Sequence, residues 1–307
     1  MNDRSENGPP RLACLIAIAT FRRPKGLRAL LNSVVPELHG AHRVVVVDND
    51  PAGSARVVVD DFGDAVSYVI EPVAGIASAR NRAFDFTGGL DAIVFVDDDE
   101  FAAPGWLEAL AERARTSSAG VIMGPVMSIF PADAPRWVTR GGFIQRELWP
   151  DGTKLTAGAT NNTLLKLPVW IAAGAPRFDL TFSTTGGSDA HFFARLIAGG
   201  VTIEYCEAAT VYEPVPAERM TLKWLARRAY RNGIVLARIW APKHGHFLTL
   251  GRGVLLAVTG LARGTLAGIS SRKLDARAFN EVLGGLGAVS ALVGVRVHEY
   301  KRASTVR

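Results

Sequence analysis

The chain has 307 residues, 48% of them hydrophobic and 21% charged, which excludes a disordered tail or a small stapled scaffold and leaves room for one large domain or two modest ones. Cys14 and Cys206 are its only cysteines, so a disulfide framework and a Cys-based zinc site are excluded and a reducing compartment is expected. The net charge of +6 is unevenly laid: residues 1–218 carry 19 Lys and Arg against 26 Asp and Glu, whereas residues 219–307 carry 16 against 3. An acidic body joined to a basic segment implies an anionic surface, either membrane or nucleic acid.

Residues 1–10 are expected to be flexible. The first apolar run, Leu12 to Ala19, follows acids as well as arginines and leads into Thr20-Phe21-Arg22-Arg23-Pro24, which suits a core strand and not a secretory signal. Further strands are predicted at Val44–Val47, Val66–Ile70, Ile93–Val96 and Val121–Val126. Helices are predicted at Lys25–Val35, Ser54–Phe62, Ile76–Phe86 and Gly105–Arg115. This alternation is the mark of βαβ units and a mostly parallel sheet.

From Phe130 to Gly187 periodicity weakens and Pro, Gly, Trp and Thr dominate, as in functional irregular connections. A helix is predicted at Ser188–Ala198 and a strand at Thr202–Tyr205. A basic helix is predicted from Glu218 to Trp240, with Arg219, Lys223, Arg227 and Arg231 in one stripe. Two apolar segments then flank Ser270-Ser271-Arg272-Lys273. The runs Gly253–Ala262 and Val282–Val295 are stopped by Arg263 and Arg296, short of the ~20 residues of a spanning helix, so interfacial insertion is expected. Helices packed on the domain are the alternative.

Four acids, Asp97-Asp98-Asp99-Glu100, follow Ile93-Val94-Phe95-Val96 directly, which puts them past the C-terminal end of a buried strand, where α/β sheets bind ligands. Such carboxylates repel one another unless a cation intervenes, and Mg²⁺ or Mn²⁺ completed by phosphate oxygens would suit them; a solvated acidic turn is the plainer alternative. Asp48-Asn49-Asp50 repeats the strand-then-acid arrangement and is also a good turn sequence. Arg80, in the second turn of a small-residue helix opening, would suit a diphosphate or stand as an ordinary surface arginine. Asp189 follows Gly186-Gly187-Ser188 in the first turn of a helix, as a general base or as a carboxylate that complements the helix dipole. No Gly-x-Gly-x-x-Gly turn, Walker loop or metalloprotease His spacing is present.

Taken in order, Ile18-Ala19-Thr20-Phe21-Arg22-Arg23-Pro24, Asp48-Asn49-Asp50, Ala79-Arg80-Asn81, Val96 to Glu100 with Pro104-Gly105-Trp106-Leu107, Gly124-Pro125-Val126, Thr160-Asn161-Asn162, Gly186 to Asp189 and Glu213-Pro214-Val215-Pro216 resemble the inverting family 2 glycosyltransferases. The branch of succinoglycan-type exopolysaccharide glucosyltransferases is the most similar. The resemblance spans residues 11 to about 233 and implies a GT-A fold, a Rossmann-like nucleotide-binding sheet with an acceptor-binding part. It divides the chain into a nucleotide-sugar-binding half (11–126), an acceptor-binding and catalytic half (127–218) and a basic helical tail (219–307).

The same resemblance implies a nucleotide-sugar donor, commonly UDP-linked, contacted by Thr20, Arg22, Asp48, Arg80, Asp97 and Asp98. It implies Mn²⁺ or Mg²⁺ on Asp97 and Asp99, Asp189 as the base, and an acceptor near Asn162, Gly187, Ser188 and His191. Ser188 stands where the family carries Glu, and His191 where a second acid is common. The expected partners are a saccharide or lipid-linked acceptor and an anionic membrane, at its cytoplasmic face or in the cytoplasm, and not nucleic acid. A nucleotidyltransferase and a catalytically silent sugar-binding protein are the competing functions.

Overall fold

The computed structural model describes residues 12–183, 185–271 and 275–295; the expected flexible N-terminus, Arg272, Lys273 and the chain from Arg296 onward lie outside them. In chain order the elements are β1 (Cys14–Thr20), α1 (Pro24–Val34), β2 (Arg43–Asp48), α2 (Arg56–Val59), β3 (Val66–Ile70), α3 (Ile76–Ala83), β4 (Ala92–Asp97), β5 (Phe101–Ala102), α4 (Trp106–Thr116), β6 (Val121–Met123), β7 (Val126–Ile129), α5 (Arg136–Thr139), β8 (Lys154–Leu155), β9 (Thr163–Lys166), α6 (Leu167–Ala172), α7 (Ser188–Ala198), β10 (Ile203–Tyr205), β11 (Val211–Pro214), α8 (Leu222–His244), α9 (His246–Ser271) and α10 (Ala276–Leu292). They form two compact units.

The first unit comprises the residues to Pro125 together with Leu148–Phe178 and Arg195–Tyr212. It holds an eight-stranded sheet ordered β3-β2-β1-β4-β9-β6-β10-β8. Strands β1, β2 and β4 are apolar on both faces and almost wholly buried, as parallel strands covered by helices must be. Their register pairs Thr20 with Asp48 and Ala19 with Asp97, so three polar strand ends lie side by side on one edge.

The sheet is less parallel than the alternation predicts. Strand β9 runs antiparallel between β4 and β6, and the run predicted at Val121–Val126 is cut at Gly124-Pro125 into β6 and β7. Gly124 cannot carry a side chain, because a Cβ there would meet the Ala209 carbonyl and the Asn162 amide. Gly26 likewise lets α1 lie against the Asp98 backbone.

The second unit comprises Val126–Glu147, Asp179–Ala194 and the chain from Glu213. One small core gathers Val138, Phe143, Ile144, Val215, Met220, Leu225 and Ala276. Helix α8 begins four residues later than expected, because Thr221 caps it by accepting the Trp224 N–H at 3.3 Å. Arg219 therefore sits in the preceding 3₁₀ turn and pairs with Glu213 at 2.6 Å, and the basic stripe on the helix starts at Lys223.

Helix α10 packs against both α8 and α9 through glycines. A Cβ on Gly285 would stand 2.5 Å from the Gly253 carbonyl, one on Gly260 would stand 2.8 Å from the Val282 nitrogen, and Gly287 abuts the Tyr230 carbonyl. The stretch His246–Leu266 of α9 has the length and composition to cross a bilayer, at mean hydropathy 1.2 with 17% of it buried. It qualifies despite Arg252 and Arg263, which shorten the uncharged runs seen in the sequence.

Candidate functional site

In the first unit, β4 delivers its four acids into a tight turn in which they take separate roles. Glu100 is buried, and its Oε2 accepts the Asp97 N–H at 2.9 Å while its own N–H donates to the Asp97 carbonyl at 3.1 Å. It closes the turn. Asp98 points inward, accepting from Thr20 Oγ1 at 2.7 Å and Arg23 Nη1 at 3.0 Å. Burial pushes its carboxyl up to about 6, against the pull of Arg23 and the Thr20 hydroxyl.

Asp97 and Asp99 face outward, with 35% and 27% of their side chains exposed. Asp97 accepts from Arg80 Nη2 at 3.0 Å, and Asp99 from Arg23 Nη1 at 2.9 Å. Arg80 is nearly buried on α3, its guanidinium 5.9 Å from the Phe178 ring centre. Its helix is set by Asn49, whose amide donates to the Glu71 and Val73 carbonyls and accepts the Gly75 N–H, each at 2.8 Å.

The two outward carboxylates are hard oxygen donors on a rigid turn. Among the described residues no group of three or more His, Cys, Asp or Glu is arranged to hold a metal. Two carboxylates with phosphate oxygens and water completing the shell are how Mg²⁺-like ions are ordinarily held, so the donor set fits such an ion bound together with a diphosphate.

Arg22 adopts φ +54 and pairs with Asp50 at 2.8 Å. A non-glycine residue in that region is strained and marks a shaped loop. Two of the residues expected to touch ligand are engaged inside the protein. Asp48 is fully buried and accepts from the Asp50 and Ala55 N–H groups at 2.9 and 2.8 Å and from Tyr68 Oη at 2.9 Å, so its carboxylate orders the loop after β2. Asn162 is also fully buried: its Oδ1 accepts from Trp106 Nε1 at 2.6 Å, and its Nδ2 donates to the Pro125 and Ala209 carbonyls at 2.8 and 2.7 Å. With both amide protons and the carbonyl engaged, it holds the loop together.

In the second unit, the loop into α7 carries Gly187 at φ +88, and a Cβ there would collide with Val235 of α8. Ser188 is buried, and Asp189 is half-buried in the first helical turn. Among the described residues Asp189 accepts no hydrogen bond. His191 stacks on Phe182 with ring centres 4.8 Å apart, its Nδ1 4.0 Å from Asp179 Oδ2.

Arg238 of α8 pins this loop. It donates to Thr185 Oγ1 at 2.6 Å and the Thr181 carbonyl at 3.3 Å, and lies 4.2 Å over the Phe182 ring. Arg238, Arg23 and Asn49 are not among the residues to which the sequence assigns a role. Arg23 stands beside Arg22, and Asn49 between two acids, so those two were within reach of the motifs; Arg238 lies off the basic stripe and had no local signal.

The profile described as Glycosyl transferase family 2 matches residues 15–167. The chain is 38% identical over 239 residues to the succinoglycan biosynthesis protein ExoM of Rhizobium meliloti (strain 1021), covering 75% of this chain and 76% of that protein. It is similar in structure to S. aureus TarS 1–349 in complex with UDP-GlcNAc, with a TM-score of 0.53 at 13% identity over 91% of each chain. It is also similar to GalNAc-T7 with UDP, GalNAc and Mn²⁺, with a TM-score of 0.59 at 10% identity over 91% of this chain and 59% of that one.

Proposed function

Because the chain belongs to glycosyltransferase family 2, we propose that it moves a sugar, with inversion, from a UDP-sugar to a saccharide on a lipid carrier during polysaccharide synthesis. The observation that carries this is the division of labour in the β4 turn: Asp98 and Glu100 are turned inward to build it, while Asp97 and Asp99 are presented outward beside Arg80 and Arg23. The relatives, a succinoglycan biosynthesis protein and a TarS complex with UDP-GlcNAc, support the pathway and donor class.

Asp97 and Asp99 would hold a Mn²⁺ or Mg²⁺, whose charge offsets that of the departing diphosphate; the Mn²⁺ of the GalNAc-T7 structure supports a divalent ion in this fold. Arg80, held almost without freedom between Asp97 and Phe178, aims a planar cation at the same oxygens. Asp189 takes the proton of the acceptor hydroxyl as that oxygen attacks the anomeric carbon from the face opposite the leaving group. Arg238 and Val235 keep the loop before Asp189 in one shape, which maintains the direction of attack.

The protein works at the cytoplasmic face of the membrane. Support comes from one side of α9, where Phe247 is 91% exposed and Leu248, Leu255, Val258 and Leu266 are each more than half exposed. An apolar face of this extent beside basic helices suits a lipid interface.

The direct test incubates the full chain with a panel of UDP-sugars and a lipid extract as acceptor source, with Mn²⁺ or with EDTA, and follows UDP release and labelled-sugar transfer. Metal-dependent transfer from one UDP-sugar is expected. Donor binding without transfer to any acceptor would select a silent sugar-binding protein, and release of pyrophosphate from a nucleoside triphosphate would select a nucleotidyltransferase.

A further inference from the structure

The second unit contains a cavity of about 870 Å³ that none of the donor or base residues enters. Its walls come from α8, α9, α10 and the stretch Gly142–Glu147. The lining mixes apolar side chains, among them Leu225, Leu236 and Leu256, with four arginines, Arg146, Arg228, Arg252 and Arg277, and two acids, Glu147 and Glu281.

These arginines are not equivalent. Arg277 is answered by Glu281 at 3.0 Å and Arg146 by Glu213 at 3.2 Å. Among the described residues Arg228 and Arg252 make no hydrogen bond or ion pair, and their recorded company is aromatic: Arg228 lies 5.2 Å over the Trp224 ring and Arg252 3.8 Å over the Trp240 ring. Glu213, the acid that pulls on Arg228, is already shared between Arg146 and Arg219, and Glu281 of the lining between Arg263 and Arg277. Burial and then Arg146 push the Arg228 guanidinium down to about 10, against the pull of Glu213. A cation held in a partly dry wall without a carboxylate is costly unless an anion from outside completes it.

The apolar part of the wall continues outward. Leu256, Thr249 and Gly253 turn one side of α9 to the cavity, while Leu248, Leu255 and Val258 on the other side are exposed, with Arg252 between the two sides at helical spacing. A ligand with a phosphate inside and a hydrocarbon chain leaving across α9 would satisfy both the arginines and the apolar wall. Free diphosphate would use the cations and waste the leucines.

We propose that this cavity is a second ligand site, which takes the phosphate or diphosphate of a lipid-linked acceptor on Arg228 and Arg252 and passes its chain out along α9. The inference rests on the transfer reaction proposed above. It gives α8 two tasks, since the same helix that pins the loop before Asp189 through Val235 and Arg238 lines the acceptor's anchoring site with Arg228 and Trp240.

The test titrates the full chain with farnesyl diphosphate by calorimetry, with inorganic diphosphate and phosphatidylglycerol vesicles as parallel arms and UDP as the internal control. Saturable farnesyl diphosphate binding is expected, weakened about tenfold or more by Arg228→Met or by Arg252→Gln through loss of a charge-assisted contact, with UDP affinity unchanged in both. Arg252 is exposed, so its variant remains informative if Arg228→Met fails to fold. Inorganic diphosphate binding as tightly as farnesyl diphosphate would overturn the proposal, as would displacement of farnesyl diphosphate by equimolar phosphatidylglycerol, which would assign the cavity to bulk lipid. Intact UDP binding without farnesyl diphosphate binding retires this inference alone, whereas absent UDP binding in the wild type retires the proposed reaction.

Discussion

The indole N–H of Trp106 donates to Oδ1 of Asn162 at 2.6 Å, and neither side chain is exposed. The pair ties the start of α4 to the turn before β9, and the same amide reaches the Pro125 and Ala209 carbonyls. Asn162→Ala strands a buried indole donor and two carbonyls, so a stability loss of about 3 kcal/mol is expected in urea unfolding. UDP affinity of the fraction that remains folded is expected to be unchanged. A variant as stable as the wild type, with acceptor transfer selectively lost, would return Asn162 to the acceptor site.

Asp97→Asn and Asp99→Asn each remove one outward carboxylate and leave the inward pair of Asp98 and Glu100 in place. In calorimetry with Mn²⁺, both variants are expected to bind UDP about tenfold or more weakly than the wild type, which amounts to one charge-assisted contact. Chelation of the wild type is expected to bring it to the same level. Wild-type affinity indifferent to EDTA would remove the metal from the proposed reaction.

Asp189→Asn keeps the shape of the first turn of α7 and removes the base. Transfer is expected to fall by about 10²–10⁴-fold, the usual worth of general-base catalysis, with donor affinity unaltered. Near wild-type turnover would place the base elsewhere.

Phe247→Asp with Leu255→Asp puts two charges on the exposed side of α9 without touching its packed side. The thermal midpoint in solution is expected to hold within about 2 °C, as for surface changes in general, while sedimentation with phosphatidylglycerol vesicles is lost. Co-sedimentation equal to the wild type would move the membrane contact off this helix.

Strands β1, β2 and β4 were legible because each is an apolar run that ends on an acid or a Thr, and buried parallel strands have that pattern. Strand β9 was not, because Thr163–Lys166 is four residues long and lies in a stretch without periodicity, where only its partners β4 and β6 make it a strand. The acids after β4 were visible as a cluster, but their separation into inward and outward groups depends on Thr20 at the end of β1 and Arg23 just before α1. The start of α8 was misread because Glu218 and Arg219 continue a helical charge pattern that the Thr221 cap interrupts. The burial of Asp48 and Asn162 was hidden for a related reason: an exposed motif and a buried one have the same letters.

The glycine contacts of α10 have a consequence for the environment of α9. Backbones that touch directly, as at Gly285 with Gly253 and at Gly287 with Tyr230, adhere by close-range dispersion, and that force does not weaken when hydrocarbon replaces water around the helices. A bundle held mainly by the expulsion of water would loosen on entering lipid. Backbone contacts of this kind would hold equally in either medium, so the proposed membrane contact of α9 would leave the walls of the cavity behind it at their spacing.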